Sequence, residues 1–504
     1  MDYLRPIIKT MTEAYFKPFR DQVIGIDQHF PTPLGEKKMI YADWIASGRL
    51  YQPIEQTLNQ KVFPFCANTH TETSITGTLM TRAYQEAKRY IKQEVNANED
   101  DALIFCGSGM TDAINKLQRM MGLRIPERAE QFAHISKQVE NARKPIVFIT
   151  HLEHHSNHTS WLETLADVEI INPDENGEVD LNHFAQLIVQ YQDRPLKIAS
   201  VSACSNVTGI FTPYETIAEM IHQAGGYCFV DFACSGPYVD MNMHPENPLR
   251  QLDVIFISPH KFLGGPGTPG IMVMNKKIYH NTIPDNSGGG TVKFTTPWKF
   301  HEYVDDIESR EDGGTPPFLQ GIKAALCFKL KREMGVPNIL AREKVLLNRV
   351  MDELEKIPNL HVMAGHNRNR IGAISFYIDG LHFNSGVKLL NDYYGIQVRG
   401  GCSCAGTYGH YLLNIDQQES DRIWGELKKG NIYERPGWIR LSIHPIMSDE
   451  DVETILDGIR SVAANFEEME KLYTYNPKKN IYKRNDHDET FETDFIDSVF
   501  AQPF

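Results

Sequence analysis

Val254-Ile-Phe-Ile-Ser-Pro-His-Lys261-Phe-Leu-Gly-Gly-Pro-Gly-Thr-Pro-Gly-Ile-Met-Val-Met274 decides how this chain is read. Its ends, 254–257 and 270–274, are unbroken apolar runs. Runs of that kind, without polar alternation, predict strands buried on both faces. The loop between them is rich in Gly and Pro and carries one lysine. Runs of the same texture occur upstream at 102–106, 146–150, 197–203 and 227–231. The first leads into Gly107-Ser108-Gly109-Met110-Thr111. A helical pattern follows, with Ala113, Ile114, Leu117 and Met120 on one face. A second helix is predicted over 214–223. Strands separated by helices imply crossover units, so the expected fold class is α/β with a mostly parallel sheet flanked by helices.

From about residue 320 the pattern changes. Helical periodicities over 319–334 and 338–356 precede a smaller α+β region. That region reads as strand AISFYI, a helix near 385–394, strand IQVRG, a helix near 417–428, strand WIRLSIHP and a helix from Ser448 to about 466. Ser448 followed by Glu450 and Asp451 marks the last helix start. The expected organisation is an N-terminal arm (1–38), a large α/β domain (39–318), a small C-terminal α+β domain (319–470) and a C-terminal arm (471–504). The final thirty residues, polar and aromatic, read as irregular.

The 504 residues allow about two to four domains at roughly 150 residues each. A formal net charge of −14 argues against a nucleic-acid partner, which needs a basic face. With 41% hydrophobic and 23% charged residues, a large core is expected. No run approaches the roughly 18 apolar residues of a membrane span. The opening residues carry Asp2, Arg5, Lys9 and Glu13, unlike a secretory signal. Eight cysteines are too sparse for a disulfide scaffold, which points to a reducing compartment, the cytoplasm, where single thiols can be chemical.

Ligands of open α/β sheets sit at the carboxyl ends of the strands. After 102–106, Gly109 permits close backbone approach. The helix start at Met110–Thr111 offers N–H groups, a positive dipole end and a hydroxyl, either as a phosphate cup or as a plain capped turn. After 146–150 comes His151-Leu-Glu-His154-His155-Ser-Asn-His158. His154 and His158 lack the HExxH arrangement, so no metal site is expected; a stacking imidazole and a polar helix face both remain open. Asp231 ends one strand. Lys261 follows another, either as a surface lysine or as a buried amine able to act as nucleophile or base. Taken together, a phosphate cup, a flat ring, a carboxylate and a lysine match the needs of pyridoxal 5′-phosphate (PLP).

The motifs YADWIASG (41–48), GMTDAIN (109–115), LEHHSN (152–157), SNVTG (205–209), VDFA (230–233), SPHKFLGGPGTPG (258–270), GGGT (288–291), EDGGTP (311–316), VRGGCSCAG (398–406) and WIRLSIHP (438–445) occur in order. In these the chain resembles the class V aminotransferase family of PLP enzymes, fold type I, in the branch of cysteine desulfurases and selenocysteine lyases. The resemblance implies that Lys261 binds the cofactor covalently and later carries the substrate α-proton. Asp231 would pair with the ring nitrogen and His154 would stack on the ring. Asn206 would lie near the ring hydroxyl and the substrate carboxylate. Gly109, Met110 (through its amide), Thr111, Ser258 and His260 would hold the phosphate. Thr291 would reach the phosphate of the other subunit of a homodimer. Arg440 would clamp the carboxylate of a small amino-acid substrate, with Arg399 nearby.

In VRGGCSCAG, Cys404 matches the family's nucleophile, which takes sulfur or selenium as a persulfide and leaves alanine; a sulfur-acceptor protein would follow. Cys402 is a second thiol, and Arg399 and His410 are candidate cations for stabilising a thiolate. Both thiols could instead be small packing residues. Transamination, epimerisation or kynureninase-type cleavage would use the same lysine without a thiol, and a non-catalytic scaffold would not need the lysine at all. The chain departs from the family at Cys234, where a glutamine is usual, at Met110, in an apparent insertion over 125–145, and in AGTYGHYLL after the cysteine.

Overall fold

A computed structural model describes residues 12–486 and 488–501. The first eleven residues of the expected N-terminal arm lie outside the described residues. The central sheet has seven strands: β1 (Asp101–Cys106), β2 (Ile146–Thr150), β3 (Asp167–Ile171), β4 (Lys197–Ser202), β5 (Tyr227–Asp231), β6 (Val254–Ile257) and β7 (Gly270–Asn275). Their spatial order is β1-β7-β6-β5-β4-β2-β3. Neighbours from β6 through β3 are parallel; β7 runs antiparallel to both β6 and β1. The unbroken apolar runs explain this layer, because β1, β2, β4 and β6 are buried along their whole length.

The edge strand β3 was not foreseen. Asp167 and Glu169 alternate with Val168 and Ile170 there, and most of the strand is only half buried. It therefore lacks the continuous apolar texture of its neighbours.

Helix α1 (Met110–Met120) follows β1 and helix α2 (His155–Leu162) follows β2. Helices α3 (Phe318–Met334) and α4 (Val336–Leu354) lead to a second, antiparallel sheet. Its strands are β8 (Leu360–Val362), β9 (Ala373–Ile378), β10 (Arg399–Gly401) and β11 (Trp438–Ser442), in the order β8-β9-β11-β10. Helix α5 (Phe383–Tyr394) packs here, as does α6 (Asp449–Glu470). Ser448 caps α6 with a reciprocal capping box to Asp451, as its sequence predicts.

Residues 40–49 join the two sheets. Ile40–Tyr41 pairs in parallel with Ile396–Gln397, and the Ser442 amide donates to the Ala42 carbonyl at 2.7 Å. A few residues on, the Gly48 amide donates to the His260 carbonyl at 2.9 Å, and the Gly264 amide to the Arg49 carbonyl at 2.7 Å. One short segment thus ties the lysine loop to β11.

The C-terminal arm is regular, contrary to its reading from sequence. Tyr473–Asn476 and Ile481–Arg484 form a hairpin, and Thr490–Phe500 is a helix. The Asn476 side chain caps the turn by accepting from the amides of Lys478 and Lys479, and Asn480 takes a left-handed φ of 53°. These are turn devices written in Asn rather than Gly. The hairpin docks on α5, where the Tyr473 hydroxyl donates to Asp392 at 3.0 Å.

A buried carboxylate fastens β2 to β4. Glu153 accepts hydrogen bonds from the Thr150 hydroxyl (2.6 Å), the Ser202 amide (2.9 Å), the Ser202 hydroxyl (2.6 Å) and the Asn157 amide (2.7 Å). Burial pushes its pKa up to about 7, against the pull of those donors. Replacing it by Gln strands at least one buried donor, at a cost of about 1–3 kcal/mol. A carboxyl with a raised folded-state pKa stabilises fully below its ordinary value near 4.5 and loses that contribution as pH rises through about 7. Glu153→Gln should therefore unfold at lower denaturant than the parent, with the gap wider at pH 5 than at pH 8. Denaturant titrations at both values measure it.

Candidate active site

The carboxyl ends of β4, β5 and β6, the start of α1 and the β10–β11 strands converge on one cavity of about 390 Å³. Gly109, Met110, Thr111, His154, Asn206, Asp231, Ser258, His260, Lys261, Arg399, Cys404 and Arg440 all line it. The sequence-predicted set is brought together apart from three residues. Cys402 lies behind the wall, half buried. His410 turns away, with its ring nitrogens against the Gly406 carbonyl and the Ser420 hydroxyl. Thr291 is buried in its own turn, where its hydroxyl donates to the Gly288 carbonyl at 2.7 Å.

At one end, Ser108 and Gly109 lead into the amino end of α1. Gly109 is extended, and a Cβ there would stand 3.0 Å from the His260 ring and 3.3 Å from Ser258 Oγ. The Met110 amide, expected to be free, donates to Ser258 Oγ at 2.9 Å. That leaves the Ser258 hydroxyl proton available to an anion. Thr111 and Ser156 hydroxyls are hydrogen-bonded at 2.6 Å. His260 Nδ1 contacts the Ser108 carbonyl at 3.0 Å, so it carries the proton. Burial and the neighbouring Lys261 charge lower the His260 pKa to about 4, and its ring is neutral.

In the middle, Asp231 is buried and accepts the Ala233 amide at 2.7 Å. Burial raises its pKa to about 6, opposed by that amide and by Lys261. His154 caps α2, its Nδ1 accepting from the Ser156 amide at 3.1 Å. Burial, then the charges of Lys261 and Arg440, hold its pKa down near 3, so it too is neutral. Cys204 and Cys234 line the floor as hydrogen-bonded thiols, and burial raises the Cys204 pKa.

At the far end, Arg440 Nη1 donates to the Asn206 carbonyl at 3.1 Å, and Nη2 to Asp43 at 2.8 Å. Two of its five N–H bonds are thus spent on the protein, and three remain for a ligand. Asn206 Oδ1 and Arg440 Nε are buried without a partner. Buried polar atoms are rarely left so, and a ligand would satisfy them. The cysteine loop is pinned from several sides. Asn206 Nδ2 donates to the Ser403 carbonyl (2.7 Å), Trp438 Nε1 to Ser403 Oγ (3.2 Å) and the His155 amide to the Cys404 carbonyl (2.7 Å). These bonds hold Ser403 and Cys404 at φ of 52° and 57°, a costly conformation for residues with a Cβ. The result is an exposed Cys404 thiol on the cavity wall.

Two buried carboxylates that hold other residues in place escaped sequence reasoning. Glu153 lay inside LEHHSN but was overlooked beside the histidines. Asp43 lay inside YADW, and its arginine partners are hundreds of residues away. Among the described residues, no cluster of three or more His, Cys, Asp or Glu is placed to hold a metal ion. Among them, too, no helix is long and apolar enough to cross a membrane.

A Haloferax volcanii protein named cysteine desulfurase is 28% identical over 271 residues, 51% of this chain but only 59% of that protein. A probable cysteine desulfurase of Streptomyces coelicolor is 24% identical over 373 residues, 73% of this chain and 84% of its own. In three dimensions the chain shares its fold with the apo cysteine desulfurase of Thermococcus onnurineus, with a TM-score of 0.71 at 20% identity, over 89% of this chain and 98% of that one. It shares it also with an Escherichia coli cysteine desulfurase, with a TM-score of 0.66 at 18% identity, over 90% and 99%. The model of the family described as aminotransferase class-V matches residues 40–455. The chain, matched over most of its length, belongs to the class V aminotransferase family.

Proposed function

We propose that this protein is a PLP-dependent cysteine desulfurase that converts L-cysteine to L-alanine and leaves the sulfur on Cys404 as a persulfide. The observation that carries this reading is the placement of Cys404 and Lys261 on one cavity beside Asp231. The residues present fit the cofactor. Asn206 Oδ1 and Arg440 Nε are a buried acceptor and a buried donor still open, and a side chain at Gly109 would press on His260 and Ser258. Bound there, the cofactor would supply an electron sink for the bonds at the substrate α-carbon.

The chain's own residues would do the rest. The α1 amino end, Thr111, Ser258 and His260 would hold the phosphate. A buried Asp231 is costly to ionise alone, so a cationic ring nitrogen opposite it would be held firmly. The flat, neutral His154 would cover the ring without adding charge. Lys261 would hold the cofactor and move the α-proton. Arg440, through its three remaining N–H groups, would bind the substrate carboxylate. Cys404 as thiolate would attack the substrate sulfur, so the sum is L-cysteine plus Cys404 thiol giving L-alanine plus Cys404 persulfide. We propose that the active form is a homodimer in a reducing cytoplasm, with an acceptor protein removing the sulfur. Selenocysteine would meet the same thiol.

With L-cysteine and a thiol reductant, the holoenzyme should release alanine and sulfide. Cys404→Ser should keep the cofactor absorbance band and lose this release, while Cys402→Ser should retain most of it. Activity persisting in Cys404→Ser would exclude that thiol as nucleophile. A second expectation follows from Asp231. Below about pH 6 its carboxyl takes up a proton in the cofactor-free protein, so affinity for PLP should fall there. Asp231→Asn should flatten that dependence, and fluorescence titration of PLP across pH 5–8 measures both.

A further inference from the structure

The two arginines at the far end of the cavity create an electrostatic problem that their own strands do not solve. Arg399 and Arg440 stand directly opposite each other in the antiparallel β10–β11 pair. Like charges in that position repel. Asp43 lies between them. Its Oδ2 accepts from Arg399 Nε at 2.9 Å, and its Oδ1 from Arg440 Nη2 at 2.8 Å. The carboxylate is shielded from water, its side chain 12% exposed, against 4% for Arg440 and 54% for Arg399. Asp43 itself is fixed by a bridge to Ser442 on β11. The three side chains sum to a single positive charge. His154, facing the same cavity, is neutral.

We propose that Asp43 is a specificity-determining, positioning residue: it cancels one of the two guanidinium charges and aims the other, so that the site accepts amino acids with one carboxylate and an uncharged side chain. The assignment of the substrate carboxylate to Arg440 rests on the reading in the preceding section. One carboxylate completes the charge balance of the cluster. A second anionic group on the ligand would meet no further uncompensated guanidinium in the cluster, a disfavoured arrangement. Without Asp43, two unbalanced guanidiniums would favour a dianion.

The test compares the parent, Asp43→Asn, Asp43→Glu and Arg399→Gln as holoenzymes. The inhibition constants of L-alanine and L-aspartate against L-cysteine turnover are measured, together with kcat and KM. A parallel series follows the thermal stabilisation of the cofactor-free proteins by propionate and by succinate. In Asp43→Asn, preference should swing toward L-aspartate and succinate by about tenfold or more, with the loss on L-cysteine lying mainly in KM. Asp43→Glu, which keeps the charge, should hold the parent preference. Arg399→Gln changes a more exposed side chain and serves as a second arm should the Asn variant not fold. It leaves a neutral cluster, and propionate and L-alanine should bind about tenfold more weakly. An unchanged monoanion-to-dianion preference in folded Asp43→Asn, or unchanged monoanion binding in Arg399→Gln, overturns the proposal. A protein that never processes L-cysteine but shows the succinate shift overturns the desulfurase reading and supports the role of Asp43.

Discussion

The parallel pairing of β5 with β6 sets the position of everything else in the cavity. Asp231, the last residue of β5, stands opposite Phe256, two residues before Ser258. Parallel neighbours end on the same edge of a sheet, so the Asp231 carboxylate and the lysine loop emerge side by side. The pairing of Ser202 with Asp231 carries the same edge on to β4 and so to Asn206. Both strands are buried on their two faces, which leaves their carboxyl ends as the place where polar side chains can gather. The two charges there depend on each other. Burial makes Asp231 costly to ionise, and the Lys261 ammonium offsets part of that cost.

The second half of the site comes from a different sheet, and residues 40–49 hold the two halves in register. Hydrogen bonds from this segment reach Gln397 and Ser442 on one side and His260 and Gly264 on the other. The backbone is close-fitting here. A Cβ on Gly48 would sit 1.9 Å from the Phe262 carbonyl oxygen, so glycine is what allows this segment to approach the lysine loop. Asp43, in the same segment, sets the charge facing the ligand. Packing and electrostatics are therefore delivered by one stretch of ten residues.

Much of this was legible in the sequence, and the limits have physical causes. The buried strands announced themselves because apolar runs such as Ile146–Thr150 and Val254–Ile257 admit few other structures. Caps written in local sequence, such as Ser448 with Asp451, were equally plain. The edge strand β3 was missed because Asp167 and Glu169 interrupt its apolar run and most of it is only half buried. The C-terminal hairpin was missed because its turn uses Asn and its strands carry Tyr and Lys. Within the site, residues with chemistry after a strand end were found, and of the two thiols it is Cys404, the one matching the family motif, that lines the cavity. Asp43 depended on partners 356 and 397 residues away, beyond any local pattern.

The central claim is that Lys261 is the side chain that bonds the cofactor. Reducing the PLP-loaded protein with borohydride and mapping its peptides by mass spectrometry tests this directly. The account predicts a stable pyridoxyl-phosphate adduct on Lys261 and on no other lysine. An unmodified Lys261, or an adduct placed elsewhere, would contradict it.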